Sequence, residues 1–182
     1  MTDVQRAWRF LENSDPIASA DEIQAALKRV AAQVSERLAT SYPLVLAVMG
    51  GAVIFAGQIL PLLHFPLDFD YIHVSRYGVE THGAQVDWRV MPPATVRGRA
   101  VLVLDDILDG GHTMAAIRER LLELGAASFH CAVLVEKTLR AQKPIRADFV
   151  GLSIADRFVF GYGMDAKGFW RNLPEIRAMR ES

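Results

Sequence analysis

Short apolar runs alternate along this chain with segments of helical periodicity, and this alternation constrains the fold more than any other feature of the sequence. The apolar runs stand at residues 44–48, 101–104, 132–135 and 149–154. A run of this length with almost no polar position predicts a strand that is covered on both faces, as in a parallel sheet. Helices are expected between the runs, at residues 52–63 and 113–124. The sequence therefore predicts an α/β domain with a central, mostly parallel sheet flanked by helices.

A further helix is predicted before the first of these strands. Ser19 and Glu22 have the spacing of a capping box, in which each side chain accepts the other residue's backbone N–H. Apolar residues then recur at steps of three and four, which places them on one helical face: Ile23, Leu27, Val30, Val34 and Leu38. Two regions do not fit the alternation. Residues 66–98 indicate an extended, hairpin-like excursion, and residues 156–182 indicate a small cap over the strand ends.

Composition excludes several functional classes. The chain has 182 residues and a formal net charge of -1, so no basic field recruits nucleic acid, and an anionic ligand needs a local site. Cys131 is the single cysteine, which rules out an internal disulfide bond. The N-terminal residues contain no apolar core of signal-peptide length, and no uninterrupted apolar run has the length of a membrane span. We therefore expect one cytoplasmic domain that binds neither nucleic acid nor a membrane.

Residues 101–113, which read VLVLDDILDGGHT, carry the strongest indication of function. Behind the apolar strand stand three acids, a glycine pair and the threonine that opens a helix: Asp105, Asp106, Asp109, Gly110, Gly111 and Thr113. Backbone N–H groups at a helix N-terminus bind phosphate, and adjacent carboxylates bind sugar hydroxyls or a divalent cation. Taken singly, aspartates also cap helices and glycines form turns. The whole ordered run predicts a site for a phosphorylated sugar.

The same run resembles the phosphoribosyl pyrophosphate motif of the type I phosphoribosyltransferases. The family pattern is four apolar residues, two acids, two apolar residues, a variable position, a small residue, glycine, any residue and threonine, and each position matches. The variable position is Asp109. The hypoxanthine-guanine enzymes of the family have aspartate there, adenine enzymes typically alanine, and RNA-binding pyrimidine regulators tyrosine. Residues 156–165 and 169–174 are similar to the C-terminal region of the hypoxanthine enzymes.

This resemblance covers nearly the whole chain and implies an activity. It implies transfer of the 5-phosphoribosyl group from phosphoribosyl pyrophosphate to a 6-oxopurine base, hypoxanthine and also guanine, with Mg²⁺ as cofactor. It implies a single domain over residues 1–182, with a core at about 20–150, a mobile lid at about 75–88, and a small hood at about 151–182 joined by N-terminal residues. It also implies a homodimer or a homotetramer.

The resemblance assigns a role to each residue of the expected site. Asp109 is the catalytic base that accepts the proton at purine N7. The ribose hydroxyls and the 5′-phosphate are expected at Asp105, Asp106, Gly110, Gly111, His112 and Thr113. Pyrophosphate is expected at Met49, Gly50, Gly51 and Arg171, with a cis peptide bond between Met49 and Gly50. The purine is expected at Lys137, which donates to the 6-oxo group, and at Phe158, Val159 and Asp165.

The remaining assignments concern the metal and the lid. The expected metal ligands are Asp105, Asp106 and Asp165, and the lid residues are Ser75, Arg76 and Tyr77. Three positions depart from the family pattern, because Gly50 and His112 stand where relatives often have lysine, and Arg76 stands where serine is common. We hypothesise that Arg76 restores positive charge over pyrophosphate, which unchanged kinetics of Arg76→Ala would refute.

Alternative functions remain open on the same fold. One is a transferase that prefers guanine or xanthine, since main-chain groups decide between the 6-oxopurines. Another is a non-catalytic, nucleotide-sensing regulator that binds RNA, against which Asp109 in place of tyrosine argues. A third is a different α/β enzyme that binds phosphate, because a fold does not determine a function.

Overall fold

The computed structural model of the chain describes residues 1–76 and 86–180. Its helices are α1 (Asp3–Glu12), α2 (Ala20–Leu38), α3 (Val53–Ile59) and α4 (His112–Glu123). Its strands are β1 (Ser14–Ala18), β2 (Leu44–Met49), β3 (Asp68–Arg76), β4 (Val86–Val90), β5 (Ala100–Leu108), β6 (Ser128–Thr138), β7 (Phe149–Ala155), β8 (Val159–Phe160) and β9 (Ile176–Met179). Short 3₁₀ helices lie at Leu60–Leu62 and Ala94–Val96.

The larger sheet of the described residues has the strand order β4-β3-β2-β5-β6-β7. Neighbouring strands from β3 to β7 are parallel, and the edge strand β4 is antiparallel to β3. The central strands β2, β5 and β6 bury apolar side chains on both faces. One face packs against α2 and α3, and the other packs against α4. The predicted α/β fold with a mostly parallel sheet is confirmed.

The capping box before α2 forms as predicted. The Glu22 N–H donates to Ser19 Oγ at 3.3 Å, and the Ser19 N–H donates to Glu22 Oε2 at 2.8 Å. The predicted apolar face is buried in the core: Ile23, Leu27, Val30, Val34 and Leu38. Complete burial of one large aliphatic side chain contributes about 1.5–3 kcal/mol, so this face provides most of the stabilisation of the helix. Among the described residues, no helix combines the length and the apolar character needed to cross a membrane.

The predicted helix at residues 52–63 is shorter than expected. It is α-helical over Val53–Ile59 and continues as the 3₁₀ helix Leu60–Leu62. Pro61 explains the change, because proline has no N–H to donate to the preceding turn and its ring clashes with the carbonyl there.

Strands β5 and β6 are longer than expected. Strand β5, predicted to end at Leu104, continues to Leu108, so that Asp105 and Asp106 lie within the strand rather than after it. Strand β6, predicted over residues 132–135, extends to Thr138. The extended part of β5 pairs with β6, from Asp105 opposite Val133 to Leu108 opposite Glu136. Backbone pairing between them therefore continues beyond the apolar runs from which the strands were predicted.

Residues 66–98 contain an integral strand of the large sheet, so their interpretation as an excursion from the alternation was wrong for β3. This strand pairs in parallel with β2, from Leu44 opposite Asp68 to Met49 opposite His73. Its Phe69 and Tyr71 are exposed, and the interspersed charged residues break the apolar run that would have indicated a strand. Strand β4 lies antiparallel beside β3, in agreement with the hairpin-like prediction.

A second sheet joins the two ends of the chain, with the order β1-β9-β8. Helix α1, which the sequence analysis did not predict, lies against the C-terminal segment. Trp170 Nε1 donates to the Ala7 carbonyl at 2.6 Å, and the rings of Trp8 and Trp170 meet edge to face at 5.1 Å. Along the chain, the last strand of the large sheet, β7, ends at Ala155, and β8 of the small sheet begins at Val159. The division of the chain into a core and a hood stays a prediction.

Candidate active site

A cavity of about 460 Å³ lies where the carboxyl ends of β2, β3 and β5 meet the C-terminal segment. In parallel α/β sheets this edge is where ligands bind. The predicted site residues that line the cavity are Met49, Gly50, Gly51, Ser75, Asp105, Asp106, Asp109, Gly111, Thr113, Asp165 and Arg171. Segments far apart in sequence therefore converge on one space, as the sequence analysis expected.

Adjacent carboxylates stand at the end of β5. The Asp106 N–H donates to Asp105 Oδ1 at 3.0 Å, and the Ile107 N–H donates to Asp106 Oδ1 at 2.8 Å. Burial raises the pKa of the Asp106 carboxyl above its ordinary value, although a hydrogen bond shared with Asp105, the Ile107 N–H and the positive charge of Arg171 act in the opposite direction. The raised pKa means that the surroundings do not fully compensate the negative charge of this buried carboxylate. Such a carboxylate favours a cation or a hydroxyl donor as a ligand.

The loop after β2 passes very close to Asp106. The Met49–Gly50 peptide bond is cis, as expected. A Cβ atom at Gly51 would overlap the Asp106 carboxylate, and a Cβ atom at Gly163 would overlap the Gly51 carbonyl oxygen. Glycine is therefore required at both positions, because the loop is held between β5 and the C-terminal segment with no space for a side chain.

The turn before α4 has the geometry of an anion site. Gly111 is the N-cap of α4 and has a φ of +81°, in the left-handed region that favours glycine. Gly111 has no side chain with which to cap the first turn, and uncapped N–H groups at a helix N-terminus attract phosphate. A Cβ atom at Gly111 would stand 3.4–3.5 Å from side-chain atoms of Lys143, Pro144 and Ile145, so the segment 143–145 supports this turn from behind.

Asp109 and Lys137 meet beside this turn. Lys137 Nζ lies 3.1 Å from Asp109 Oδ2 and 3.4 Å from Asp156 Oδ1. The Lys137 side chain is 11% exposed, whereas the Asp109 side chain is 48% exposed. The side chain of Lys137 is thus largely shielded from solvent, whereas the carboxylate of Asp109 is accessible to a ligand.

A second lysine at this position was missed by the sequence analysis. Lys143 Nζ donates to the carbonyl oxygens of Leu108 and Lys137, at 3.0 and 2.6 Å. Its side chain is 10% exposed and lies 3.4 Å from Glu136 Oε1. The signal was absent from the sequence, because Lys143 lies in a polar connection without periodicity between β6 and β7.

Arg171 is fixed at the opposite side of the cavity. It donates to the Gly163 carbonyl at 2.6 Å through Nη1, and its Nη2 lies 2.5 Å from Asp165 Oδ1. The second oxygen of Asp165 accepts the Gly168 N–H at 2.6 Å. Arg171 is half exposed, with 43% of its side chain accessible, so its planar fork can also bind an anion.

The remaining predicted residues of the described chain, Lys137 among them, are not among those that line the cavity. Phe158 is 50% exposed, Val159 is buried beside it in β8, and His112 is the exposed first residue of α4. Gly110 precedes the α4 turn. Of the expected lid, Ser75 lies at the end of β3, whereas Tyr77 and the side chain of Arg76 fall outside what the structure describes.

The end of β5 is suited to Mg²⁺, which proteins usually bind through one or two carboxylates together with phosphate oxygens and water. Asp105 and Asp106 provide such a pair. Within residues 1–76 and 86–180, no three His, Cys, Asp or Glu side chains cluster closely enough to enclose a metal ion. A cation at this position would therefore depend on the substrate for part of its coordination.

Comparison with known proteins agrees with this geometry. The family model of the phosphoribosyl transferase domain matches residues 6–167. A hypoxanthine-guanine phosphoribosyltransferase of Bacillus subtilis (strain 168) is 32% identical over 165 residues, which are 90% of this chain and 92% of that protein. A hypoxanthine-guanine-xanthine phosphoribosyltransferase of Tritrichomonas foetus is 31% identical over 163 residues, 89% of each chain.

Solved structures show the same similarity. A crystal structure of a hypoxanthine phosphoribosyltransferase from Staphylococcus aureus has a TM-score of 0.87 at 27% identity, and the match covers 99% of this chain and 96% of that chain. The chain therefore belongs to the phosphoribosyltransferase family and has the type I fold, as its sequence motif indicated. Within that family, the relatives and structures to which it is similar are named for hypoxanthine and guanine.

Proposed function

We propose that this protein is a purine salvage enzyme that transfers the 5-phosphoribosyl group from phosphoribosyl pyrophosphate to hypoxanthine and guanine. The products are IMP or GMP and pyrophosphate. The observation that carries the proposal is the 3.1 Å contact between Lys137 Nζ and Asp109 Oδ2 beside the α4 turn. It brings a hydrogen-bond donor and a proton acceptor for the base next to a cavity with the features of a sugar-phosphate site.

Asp109 acts as the general base. In the reaction, the bond between ribose C1′ and the pyrophosphate oxygen breaks, a bond from C1′ to the purine nitrogen forms, and the purine loses a proton. The exposed carboxylate of Asp109 accepts this proton at N7. General-base catalysis of this kind contributes about 10²- to 10⁴-fold to the rate.

Lys137 selects for 6-oxopurines. Its ammonium group has three N–H donors and no acceptor, so it donates to the 6-oxo oxygen of hypoxanthine or guanine. Adenine has an amino group at this position, which would leave two donors facing each other in a nearly buried place. Phe158 is exposed and stacks on the purine ring, and the backbone of Val159, with Asp165, binds the edge of the base.

The phosphate groups are bound by two separate elements. Backbone amides of Gly110, Gly111, His112 and Thr113 hold the 5′-phosphate at the N-terminus of α4. The 49–51 loop and Arg171 hold pyrophosphate, for which a planar guanidinium fork is well suited. Asp105 and Asp106 bind the ribose hydroxyls and Mg²⁺. When bound, Mg²⁺ neutralises part of the negative charge of the leaving pyrophosphate.

A spectrophotometric assay with hypoxanthine, guanine, xanthine and adenine tests this proposal, each with and without Mg²⁺. We expect turnover of hypoxanthine and guanine, none of adenine, and dependence on the metal. Xanthine is included because the Tritrichomonas foetus relative is named for it as well. Absence of turnover with every base, together with RNA retention in a filter-binding assay, would favour the regulator instead.

We further propose that the enzyme works in the cytoplasm as a homodimer or homotetramer. The single cysteine, Cys131, is free and buried, which is compatible with a reducing compartment. Light scattering coupled to size-exclusion chromatography measures the oligomeric state. A monomeric mass across micromolar concentrations would contradict the second part of this proposal.

A further inference from the structure

Lys143 joins the two strand ends that carry the proposed base-binding residues. Its Nζ atom donates to the carbonyl oxygen of Leu108, which immediately precedes Asp109, and to the carbonyl oxygen of Lys137 itself. The carboxylate of Glu136 is a third acceptor at 3.4 Å. The three donors of one ammonium group are thus matched by three acceptors, and they bridge the end of β5 to the end of β6.

The bridge begins where the β-ladder stops. Pairing between β5 and β6 ends with Leu108 opposite Glu136. Beyond that point Asp109 enters the α4 turn while β6 continues beside β7, with Lys137 opposite Ile154. Backbone pairing between β5 and β6 therefore stops one residue short of Asp109 and Lys137. At this position the strand ends are joined by the two hydrogen bonds that Lys143 donates, to the carbonyl oxygens of Leu108 and Lys137.

The same residue also supports the phosphate-binding turn. Its Cβ atom would lie 3.5 Å from a Cβ atom placed on Gly111, and Pro144 and Ile145 approach the same point. A single segment therefore contacts the turn proposed to hold the 5′-phosphate and the strand end proposed to read the base. With 10% of its side chain exposed, Lys143 is shielded from water, which makes its hydrogen bonds stronger and their loss more costly.

We propose that Lys143 is a positioning residue, which fixes the distance between Asp109 and Lys137 and their placement relative to the Gly110–Gly111 turn. The catalytic consequence depends on the proposed function, because Asp109 and Lys137 act on the purine there. Lys143 does not line the cavity of the site, so it acts through the residues whose carbonyl groups it binds. Displacing a reacting group by about 1 Å costs on the order of 100-fold in rate.

Lys143→Met tests the proposal, since it keeps the aliphatic stem and removes the donors. We expect kcat for hypoxanthine to fall about 10- to 100-fold, with a smaller change in KM, because the lost geometry matters most in the transition state. Lys28→Met is the matched control, because Lys28 is exposed on α2; it is expected to leave kcat and KM unchanged. Lys143→Arg, which restores N–H donors in a different geometry, is expected to recover part of the loss.

Hydrogen exchange gives a readout that does not depend on catalysis. We expect faster amide exchange in Lys143→Met at residues 108–113 and 136–139, with α2 and β2 unchanged. An evenly distributed increase would indicate a merely structural role and overturn the proposal. So would wild-type kcat in Lys143→Met, or a Lys143→Arg variant no better than Lys143→Met. If Lys143→Met does not fold, Lys143→Gln is judged by the same criteria. Failure of the wild type to turn over hypoxanthine refutes the proposed function, whereas the local exchange pattern tests the positioning role separately.

Discussion

Replacing Lys137 by methionine removes one ammonium group and keeps most of the side-chain volume. Lys137 Nζ contacts Asp109 and Asp156, whose side chains are 48% and 64% exposed. Water can therefore hydrate both carboxylates after the substitution, and ion pairs with such exposed partners contribute about 0–1 kcal/mol to folding. We expect the variant to fold, with a melting temperature close to that of the wild type.

The effect on catalysis should be much larger than the effect on stability. A hydrogen bond to a charged group contributes about 1.5–3 kcal/mol, and about 1.4 kcal/mol corresponds to a factor of ten. We therefore expect kcat/KM for hypoxanthine and guanine to fall about 10- to 150-fold in Lys137→Met. Discrimination against adenine should fall as well, because the donor that opposes its amino group is gone.

Initial rates with hypoxanthine and adenine, at saturating phosphoribosyl pyrophosphate and Mg²⁺, measure both quantities. Circular dichroism and thermal melting show whether the variant is folded, and Lys28→Met controls for the loss of a lysine elsewhere. If folded Lys137→Met retained the wild-type kcat/KM and the wild-type preference for hypoxanthine, Lys137 would not bind the 6-oxo group. The reasoning about base selection would then be refuted.

Three further predictions concern the carboxylates and the loop around them. Asp109→Asn should leave KM nearly unchanged and lower kcat by about 10²- to 10⁴-fold; an unaffected rate in steady-state assays would exclude its role as the base. Gly51→Ala should lower kcat/KM for phosphoribosyl pyrophosphate at least about tenfold, because the new Cβ overlaps Asp106; Gly57→Ala, where a Cβ meets no neighbour within 4 Å, is the control and should retain full activity. Asp106→Asn should stabilise the unliganded protein at neutral pH. Burial raises the pKa of Asp106 in the folded state, so ionisation of this carboxyl opposes folding. The stability gained by Asp106→Asn should therefore grow as the pH rises through the raised pKa. It should disappear at pH values below the ordinary pKa of a carboxyl group. Melting curves of both proteins from pH 3 to pH 8 measure this, and a gain that grew towards acid pH would contradict it.

The positions of the central strands could be predicted from sequence, but their lengths could not. The apolar runs at 44–48 and 101–104 locate β2 and β5, because a strand covered on both faces must be apolar at every position. Beyond Leu104 the chain becomes acidic, and strand β5 continues because β6 lies beside it as a partner. Strand β3 was missed for a related reason, since Phe69 and Tyr71 point to solvent.

Helix α1 shows a signal that was present and overlooked. Thr2 and Gln5 form a capping box at its start, the same arrangement that led to the prediction of α2 from Ser19 and Glu22. None of its residues is buried, yet Val4, Ala7, Trp8 and Leu11 recur at steps of three and four, as on one face of a helix.

The site residues likewise divide into those that could be predicted from sequence and those that could not. Asp105, Asp106, Asp109 and the glycine pair are contiguous in sequence, so a motif identifies them. Lys143 lies far from that motif along the chain, and its side-chain amine takes part by donating to carbonyl groups. Any residue type has a carbonyl group, so no pattern of side chains indicates this contact. Residues of this kind can be identified only from the three-dimensional structure.

A crystal structure with bound IMP tests the central claim most directly. Purine N7 should lie within hydrogen-bond distance of the Asp109 carboxylate, the 6-oxo oxygen within reach of Lys137 Nζ, and the 5′-phosphate on the amides that open α4. A nucleotide whose base lies away from Lys137, or whose phosphate binds elsewhere on the protein, would contradict the account.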